Sequence, residues 1–190
     1  MKSTVLSFLL LLISLTNLTN QVIKKQTNDP KGFPLIGIMT IPASATLNNE
    51  YYQAPQNWSY IPRSYINYVT QTGAMAVLIP FDLPVQTLDR ILSNLQGMMF
   101  IGGSTSLGSD TNPSFFQKRV SYILQKAIQI NDSGTYFPIV ATCLGMQSLT
   151  VAMSGNKVSL LNCNIDDEDT NHVVTPTTSF SQSKIYTKMN

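Results

Sequence analysis

The sequence predicts an α/β protein with a mainly parallel sheet flanked by helices, and three observations carry this prediction. Short apolar runs bounded by proline or glycine are typical of buried strands. Amphipathic segments with helical spacing lie between these runs. The two kinds of segment alternate along the chain, which favours parallel strands covered by helices on both faces of the sheet.

The elements follow one another in order. The predicted strands are Pro34–Pro42, Ala74–Pro80, Met98–Ser104 and Tyr136–Ala141. The predicted helices are Tyr60–Gly73, Val85–Gly97 and Ser114–Asn131. Pro62 suits the first turn of the first helix and Gly73 suits its C-terminal stop. In such folds ligands bind beyond the carboxyl ends of the strands, where Gly102, Gly103 and Cys143 fall.

Composition narrows the class of protein. Hydrophobic residues make up 43% of the 190 residues, charged residues only 12%, and the net charge is +2. The length fits one domain, and a charge this close to neutral gives no case for a nucleic-acid partner. We interpret the acidic run Asp166–Asp169 as a solvated turn, and we predict neither a metal site nor a cofactor.

The N-terminus predicts a secretory signal over residues 1–20, followed by the domain at 21–190. Lys2 gives the positive start and Val5–Leu15 gives an apolar core that is too short for a stable membrane span. Asn57 and Asn131 head Asn-x-Ser sequons and are candidate glycosylation sites. We therefore expect a secreted protein or one in a lysosome-like vacuole.

Cys143 is the candidate nucleophile. It stands between an apolar run and a helical segment, and the small residues Ala141 and Gly145 flank it at two-residue distance. A sharp strand-to-helix turn needs small residues there, exposes the side chain and places negative charge at a helix N-terminus. The chain has two cysteines, so a disulfide with Cys163 is the alternative in an oxidising compartment.

Backbone N–H groups beside Cys143 are candidate oxyanion donors. The residue after the nucleophile, Leu144, supplies one N–H group. The pair Gly102-Gly103 allows close approach of a substrate, and the N–H group of Gly103 is the second donor; a simple tight turn is the alternative for this pair. Arg63, at a predicted helix start, is a candidate partner for substrate carboxylates.

The segments "PLIGIM", "YIPRSYINYVTQTGAMAVLIP", "LQGMMFIGGSTSL" and "GTYFPIVATCLGMQSLTVAMSG" resemble, in order and spacing, the folate gamma-glutamyl hydrolases. This family of secreted or lysosomal cysteine peptidases belongs to the class I glutamine-amidotransferase-like superfamily. The resemblance implies a flavodoxin-like three-layer fold and hydrolysis of gamma-glutamyl bonds in folate poly-gamma-glutamates through a Cys143 thioester, without a cofactor. It also implies Gly103 and Leu144 as oxyanion donors, and dimerisation as a family-level expectation.

The sequence departs from this family at three places. Ala141 stands where glycine is usual, and Gln147 stands where an acid is frequent. The family's base is a histidine in a His-Pro-Glu segment on a later strand, whereas the one histidine here, His172, aligns with no catalytic position. We therefore expect an enzyme domain that is incomplete at its C-terminus. The alternatives are a secreted pseudoenzyme that binds gamma-glutamyl compounds, another thiol hydrolase of the superfamily, or a structural glycoprotein.

Overall fold

The computed structural model describes residues 32–43, 58–161, 173 and 175–183, and it confirms the α/β fold class. The strands are β1 Leu35–Met39, β2 Ile41–Pro42, β3 Ser59–Tyr60, β4 Met75–Ile79, β5 Gly97–Phe100 and β6 Ile139–Ala141. Four of them form a wholly parallel sheet with the order β4-β1-β5-β6, and β2 pairs with β3 in a separate antiparallel pair. The helices are α1 Arg63–Gln71, α2 Val85–Leu92, α3 Phe115–Asp132 and α4 Leu144–Met153, with short 3-10 helices at Val158–Leu161 and Phe180–Gln182.

Helices lie on both faces of the sheet but cover them unequally. A Cβ atom on Gly37 of β1 would meet Leu95, which follows α2, and α4 packs on the backbone of Phe100. Because Asp89 of α2 bonds Tyr122 of α3, and α3 packs on α4, these three helices share one face. Helix α1 covers the opposite face. The arrangement fits the class I glutamine-amidotransferase-like fold.

The strand that leads to the glycine pair is the most buried. All four residues of β5 are buried, and β5 lies between β1 and β6. By contrast β6 forms the border of the described sheet, and its middle residue, Val140, is 50% exposed. A strand buried on both sides holds its end more rigidly than a border strand.

Several predicted boundaries differ from the observed ones, among them the starts of the first helix (Arg63 instead of Tyr60) and of the last strand (Ile139 instead of Tyr136). Three further differences concern the first strand, α2 and β5. The first predicted strand is divided at Thr40, whose N–H group donates to Ile79 and whose hydroxyl accepts from the N–H group of Phe81. Helix α2 ends at Leu92 instead of Gly97, because the side chains of Ser93 and Asn94 donate to the carbonyl of Arg90 and close the helix. Strand β5 begins at Gly97 and ends at Phe100, before the glycine pair, whereas the predicted strand runs from Met98 to Ser104.

Helix α3 begins as predicted, after Ser114. The Ser114 hydroxyl accepts a hydrogen bond from the N–H group of Gln117 at 3.0 Å, which is the usual N-cap arrangement. Further along the chain, the buried Gln117 side chain donates to the carbonyl of Ser148 in α4 at 3.0 Å. This bond ties α3 to the helix that follows Cys143.

An apolar groove of about 160 Å³ lies on the face that α1 covers. Tyr68 and Thr72 of α1 and Gly97, Pro138 and Val140 of the sheet are among its lining residues. Gly97 and Pro138 stand where β5 and β6 begin, so the groove opens at the amino ends of these strands. Cys143 lies at the opposite end of the sheet.

Several predicted features lie outside the described residues. They are the signal at 1–20, the sequon at Asn57, Cys163, the acidic run at 166–169 and His172. Within the described part of the chain, no helix combines the length and apolarity that a membrane crossing requires.

Candidate active site

The register of the sheet brings the predicted site residues together. Phe100 of β5 pairs with Ala141 of β6, and the N–H group of Thr142 donates to the carbonyl of Phe100 at 3.0 Å. Gly102 and Cys143 each lie two residues beyond this last pair. A Cβ atom built on Gly102 would therefore lie only 3.1 Å from the Cβ atom of Cys143.

Cys143 occupies a strained turn between β6 and α4. Its backbone has φ 51° and ψ −117°, and among the described residues only Asn156 is another non-glycine residue with positive φ. Such a conformation costs about 1–3 kcal/mol and is retained where the surroundings enforce it. The Cys143 thiol is free and exposed. The turn therefore presents a sulfur atom to solvent at the N-terminus of a ten-residue helix.

Gly145 is required by the close packing of this turn. A Cβ atom at position 145 would lie 2.4 Å from the carbonyl oxygen of Phe100 and 2.6 Å from its carbonyl carbon. Both are backbone atoms of a buried strand, so neither can move aside. The requirement for a small residue two positions after Cys143 thus has a specific cause, which is contact with β5.

Two tyrosine hydroxyls border the glycine pair. The Tyr65 Oη atom lies 2.7 Å from the place where a Gly102 Cβ atom would stand, and the Tyr60 Oη atom lies equally close to that of Gly103. Gly103 also has φ 155°, which suits glycine. Glycine at both positions therefore leaves room for the hydroxyls beside the backbone.

The N–H groups of the site differ in their availability. Gly102 donates its N–H group to Tyr65 Oη at 3.0 Å, so this group is already used. The N–H groups of Gly103 and Leu144 have no hydrogen-bond partner within the described part of the chain. Gly102 thus leaves space for Tyr65 and bonds to it, while Gly103 and Leu144 have N–H groups without a partner among the described residues, as the predicted oxyanion role requires.

Arg63 and Gln147 stand at the edge of this arrangement. Arg63 is the exposed first residue of α1, and it makes no hydrogen bond or ion pair with another described residue. Gln147 is exposed on α4, and its N–H group donates to the carbonyl of Cys143 at 3.0 Å. The structure leaves both side chains in solvent, so a binding role for Arg63 stays a prediction.

Sequence reasoning missed the two tyrosines as site residues. Tyr65 shares the helical spacing of Ile61 and Val69, so it was interpretable only as part of the buried stripe of α1. Its hydroxyl instead reaches Gly102. Tyr68, which fits the same spacing, is 60% exposed. A tyrosine within an apolar stripe is the signal that points to such a contact, because a buried phenol needs a hydrogen-bond partner.

A second connection closes the loop that follows the glycine pair. The Asp110 carboxylate accepts hydrogen bonds from the Ser159 N–H group at 2.8 Å and from the Ser159 hydroxyl at 2.6 Å. The hydrogen bond from the Ser159 side chain is the main cause that lowers the pKa of Asp110 below its ordinary value. The loop after β5 is thereby tied to the segment after α4.

The side chains of the described region do not assemble a metal site. No group of three or more histidine, cysteine, aspartate or glutamate residues lies close enough together there to hold an ion. The chemistry that the arrangement itself offers is that of a nucleophilic thiol beside two unoccupied N–H donors.

Comparison of the sequence with known proteins places the chain in a family. The sequence model of the family described as peptidase C26 matches residues 34–189. The chain is 28% identical over 156 residues to gamma-glutamyl hydrolase from Homo sapiens, which covers 82% of this chain and 44% of that protein. It is 28% identical over 125 residues to gamma-glutamyl hydrolase B from Dictyostelium discoideum (66% and 34%) and 31% identical over 129 residues to probable gamma-glutamyl hydrolase 3 from Arabidopsis thaliana (65% and 35%).

The match is extensive in this chain and partial in the relatives. The matched segments make up less than half the length of each of these three curated proteins. The family match nevertheless includes every described strand and helix from Leu35 to Met153. The chain belongs to the peptidase C26 family, whose matched members here are named gamma-glutamyl hydrolases.

Proposed function

We propose that this chain carries the nucleophile and oxyanion site of a gamma-glutamyl hydrolase that acts on folate poly-gamma-glutamates. The observation that carries the proposal is the strained turn at Cys143, which sets an exposed thiol beside the glycine pair. The names of the matched relatives support gamma-glutamyl compounds as the substrate class. Folate as the carrier of the glutamate chain comes from the family resemblance.

The reaction begins at the gamma-carbonyl carbon of the substrate. The Cys143 sulfur attacks this carbon, and the oxygen takes negative charge that the N–H groups of Gly103 and Leu144 stabilise. The carbon–nitrogen bond then breaks, and the amine of the downstream glutamate leaves with a proton. Water hydrolyses the resulting thioester, which regenerates the thiol and releases the gamma-carboxylate.

Protonation of the leaving amine needs a general acid, which the family resemblance assigns to a histidine in a later segment. The described residues contain no histidine, and His172 lies outside them. An activated gamma-glutamyl ester has a leaving group that needs no proton. This ester removes the need for the acid, and alkaline buffer removes the need for a base to ionise the thiol, so the two together test Cys143 and its oxyanion donors without the histidine.

The experiment exposes the 190-residue chain to a gamma-glutamyl p-nitrophenyl ester and follows both nitrophenol release and the mass of the chain. We expect one acyl group on the tryptic peptide that contains Cys143, and no acyl group in Cys143→Ala. Cys163→Ser is the matched control and should acylate normally. Acylation of another residue, or of none, contradicts the proposal.

The folate assignment has its own assay. Release of glutamate from folate pentaglutamate is measured beside release from gamma-glutamyl peptides that lack the pteridine. Preference for the folate substrate supports the assignment, whereas equal rates restrict the proposal to gamma-glutamyl hydrolysis in general. A protein that binds both compounds but forms no acyl intermediate is a pseudoenzyme.

We also propose that the protein enters the secretory pathway and acts outside the cell or in a lysosome-like vacuole. The basic and apolar N-terminal segment supports this proposal, as does the family resemblance. Expression with a C-terminal tag, followed by N-terminal sequencing of the secreted product, tests it. A chain that keeps Met1 and stays inside the cell contradicts it.

A further inference from the structure

Tyr65 has a hydroxyl group that the proposed mechanism does not yet use. The residue is half-buried near the start of α1, and its Oη atom accepts a hydrogen bond from the N–H group of Gly102 at 3.0 Å. A phenol both accepts and donates hydrogen bonds. No acceptor for the Tyr65 O–H group is found within the described part of the chain.

This hydroxyl and the Cys143 side chain both approach Gly102. The place where a Gly102 Cβ atom would stand is 2.7 Å from Tyr65 Oη and 3.1 Å from the Cys143 Cβ atom. Both atoms therefore border the same small space, which exists because residue 102 is glycine. Tyr60, the other titratable side chain at the glycine pair, lies over Gly103 instead.

The hydrogen bond that Tyr65 accepts from the Gly102 N–H group makes its own O–H group a better donor. It fixes the position of the oxygen atom and polarises the phenol, which strengthens the bond that the O–H group makes in turn. A hydrogen bond to an ionised acceptor is about twice as strong as one between neutral groups. After Tyr65, the side chain nearest to the place of a Gly102 Cβ atom is that of Cys143, whose sulfur atom is bonded to the Cβ atom found there.

We propose that Tyr65 donates its phenolic hydrogen to the negative charge of the Cys143 thiolate. The proton stays on the tyrosine oxygen, so Tyr65 stabilises charge without acting as a base. It complements the Gly103 and Leu144 N–H groups, which serve the substrate oxygen. This inference rests on the proposed role of Cys143 as nucleophile, but its test measures thiol reactivity instead of hydrolysis.

The test is the rate of alkylation of Cys143 by iodoacetamide as a function of pH. Trypsin cleaves after Lys126 and Lys157, so the peptide between these cuts contains Cys143 without Cys163, and mass spectrometry follows it alone. The variant is Tyr65→Phe, which keeps the ring and removes the hydroxyl. Tyr68→Phe is the matched control, because Tyr68 lies one turn further along α1 and is 60% exposed.

We expect the alkylation profile of Tyr65→Phe to move to higher pH by about one unit, which makes alkylation about tenfold slower at neutral pH. At high pH, where the thiol is ionised in both proteins, the two rates should converge. Tyr68→Phe should match the unaltered protein throughout.

Three results would overturn the inference. The first is a Tyr65→Phe profile that coincides with that of the unaltered protein, which excludes a hydrogen bond to the thiolate. The second is a rate that falls by the same factor at every pH, which shows that Tyr65 only holds the loop in place. The third is a Cys143 that resists alkylation in the unaltered protein, which also removes the proposed nucleophile. A shifted profile in a chain that fails to form the acyl intermediate supports the Tyr65 inference and contradicts the proposed function.

Discussion

The turn at Cys143 and the loop at Gly102-Gly103 end adjacent strands, yet different neighbours determine their shapes. A Cβ atom on Gly145 would strike the Phe100 backbone at 2.4 Å, whereas one on Gly102 would strike the Tyr65 hydroxyl at 2.7 Å. The backbone of a buried strand cannot shift to relieve such a contact. A contact with the end of a side chain, in contrast, can be relieved by mutating that side chain. The turn at Cys143 is therefore fixed by the sheet, and the loop at Gly102-Gly103 is fixed by side chains.

The largest expected effect follows from the backbone contact. Gly145→Ala should destabilise the chain by about 3 kcal/mol or more, because the added methyl group overlaps buried strand atoms that have no room to relax. Chemical denaturation measures the change in the free energy of unfolding.

Gly134→Ala is the matched control for this prediction. Gly134 has φ 89° and no atom within 4 Å of its added Cβ atom, so the substitution introduces backbone strain without a clash. We expect about 1 kcal/mol for it. Gly145 lies in α4 and has no positive φ, so a loss no larger than that of Gly134→Ala would contradict the role assigned to the Phe100 contact.

A smaller effect is expected where the border strand β6 is anchored. The Asn131 amide donates hydrogen bonds to the carbonyls of Ala127 and Phe137, both at 2.8 Å, and its oxygen accepts from the Phe137 N–H group. Asn131→Asp replaces the donor with an anionic oxygen that faces two carbonyls. We expect a loss of about 2 kcal/mol in the free energy of unfolding.

Asn67→Asp provides the control, because it makes the same chemical change on the exposed face of α1.

The hydrogen bonds of Asn131 also bear on its candidate glycosylation site, since a glycan would be attached to the Nδ2 atom that donates to both carbonyls. Asn131 lies in the last turn of α3 and not in a loop. Full glycan occupancy at Asn131 in a natively folded chain, measured by mass spectrometry, would show that at least one of the two donated hydrogen bonds is dispensable.

The sequence predicted the alternation of strands and helices because apolar runs and helical spacing are local signals. It also placed Gly102 and Cys143 at strand ends, and the pairing of Phe100 with Ala141 brings them together. The tyrosines at the glycine pair were not predictable in this way. Their contacts cross from α1 and β3 to the end of β5, and a pattern within one segment carries no information about such a distant partner.

Local capping explains the boundary that the sequence misplaced most. The spacing of Leu88, Leu92 and Leu95 continues past the observed end of α2, so periodicity alone extends the helix to Gly97. Ser93 and Asn94 donate to the carbonyl of Arg90 and close the helix earlier. Leu95 nevertheless remains buried, so the apolar pattern was right about burial and wrong about the helix end.

The smallest expected effect tests whether side chains fix the loop at Gly102-Gly103. Gly102→Ala should destabilise the chain, because its Cβ atom overlaps the Tyr65 hydroxyl. In Tyr65→Phe this hydroxyl is absent, and the next contact is the Cys143 Cβ atom at 3.1 Å. The double variant should therefore lose less stability than the two single losses together, with a coupling of about 1 kcal/mol.

The same cycle with Gly145→Ala in place of Gly102→Ala should show no coupling, since the Phe100 backbone is unaffected by Tyr65. Chemical denaturation of all the single and double variants measures both couplings. Equal couplings in the two cycles would erase the distinction between a turn held by the sheet and a loop held by side chains.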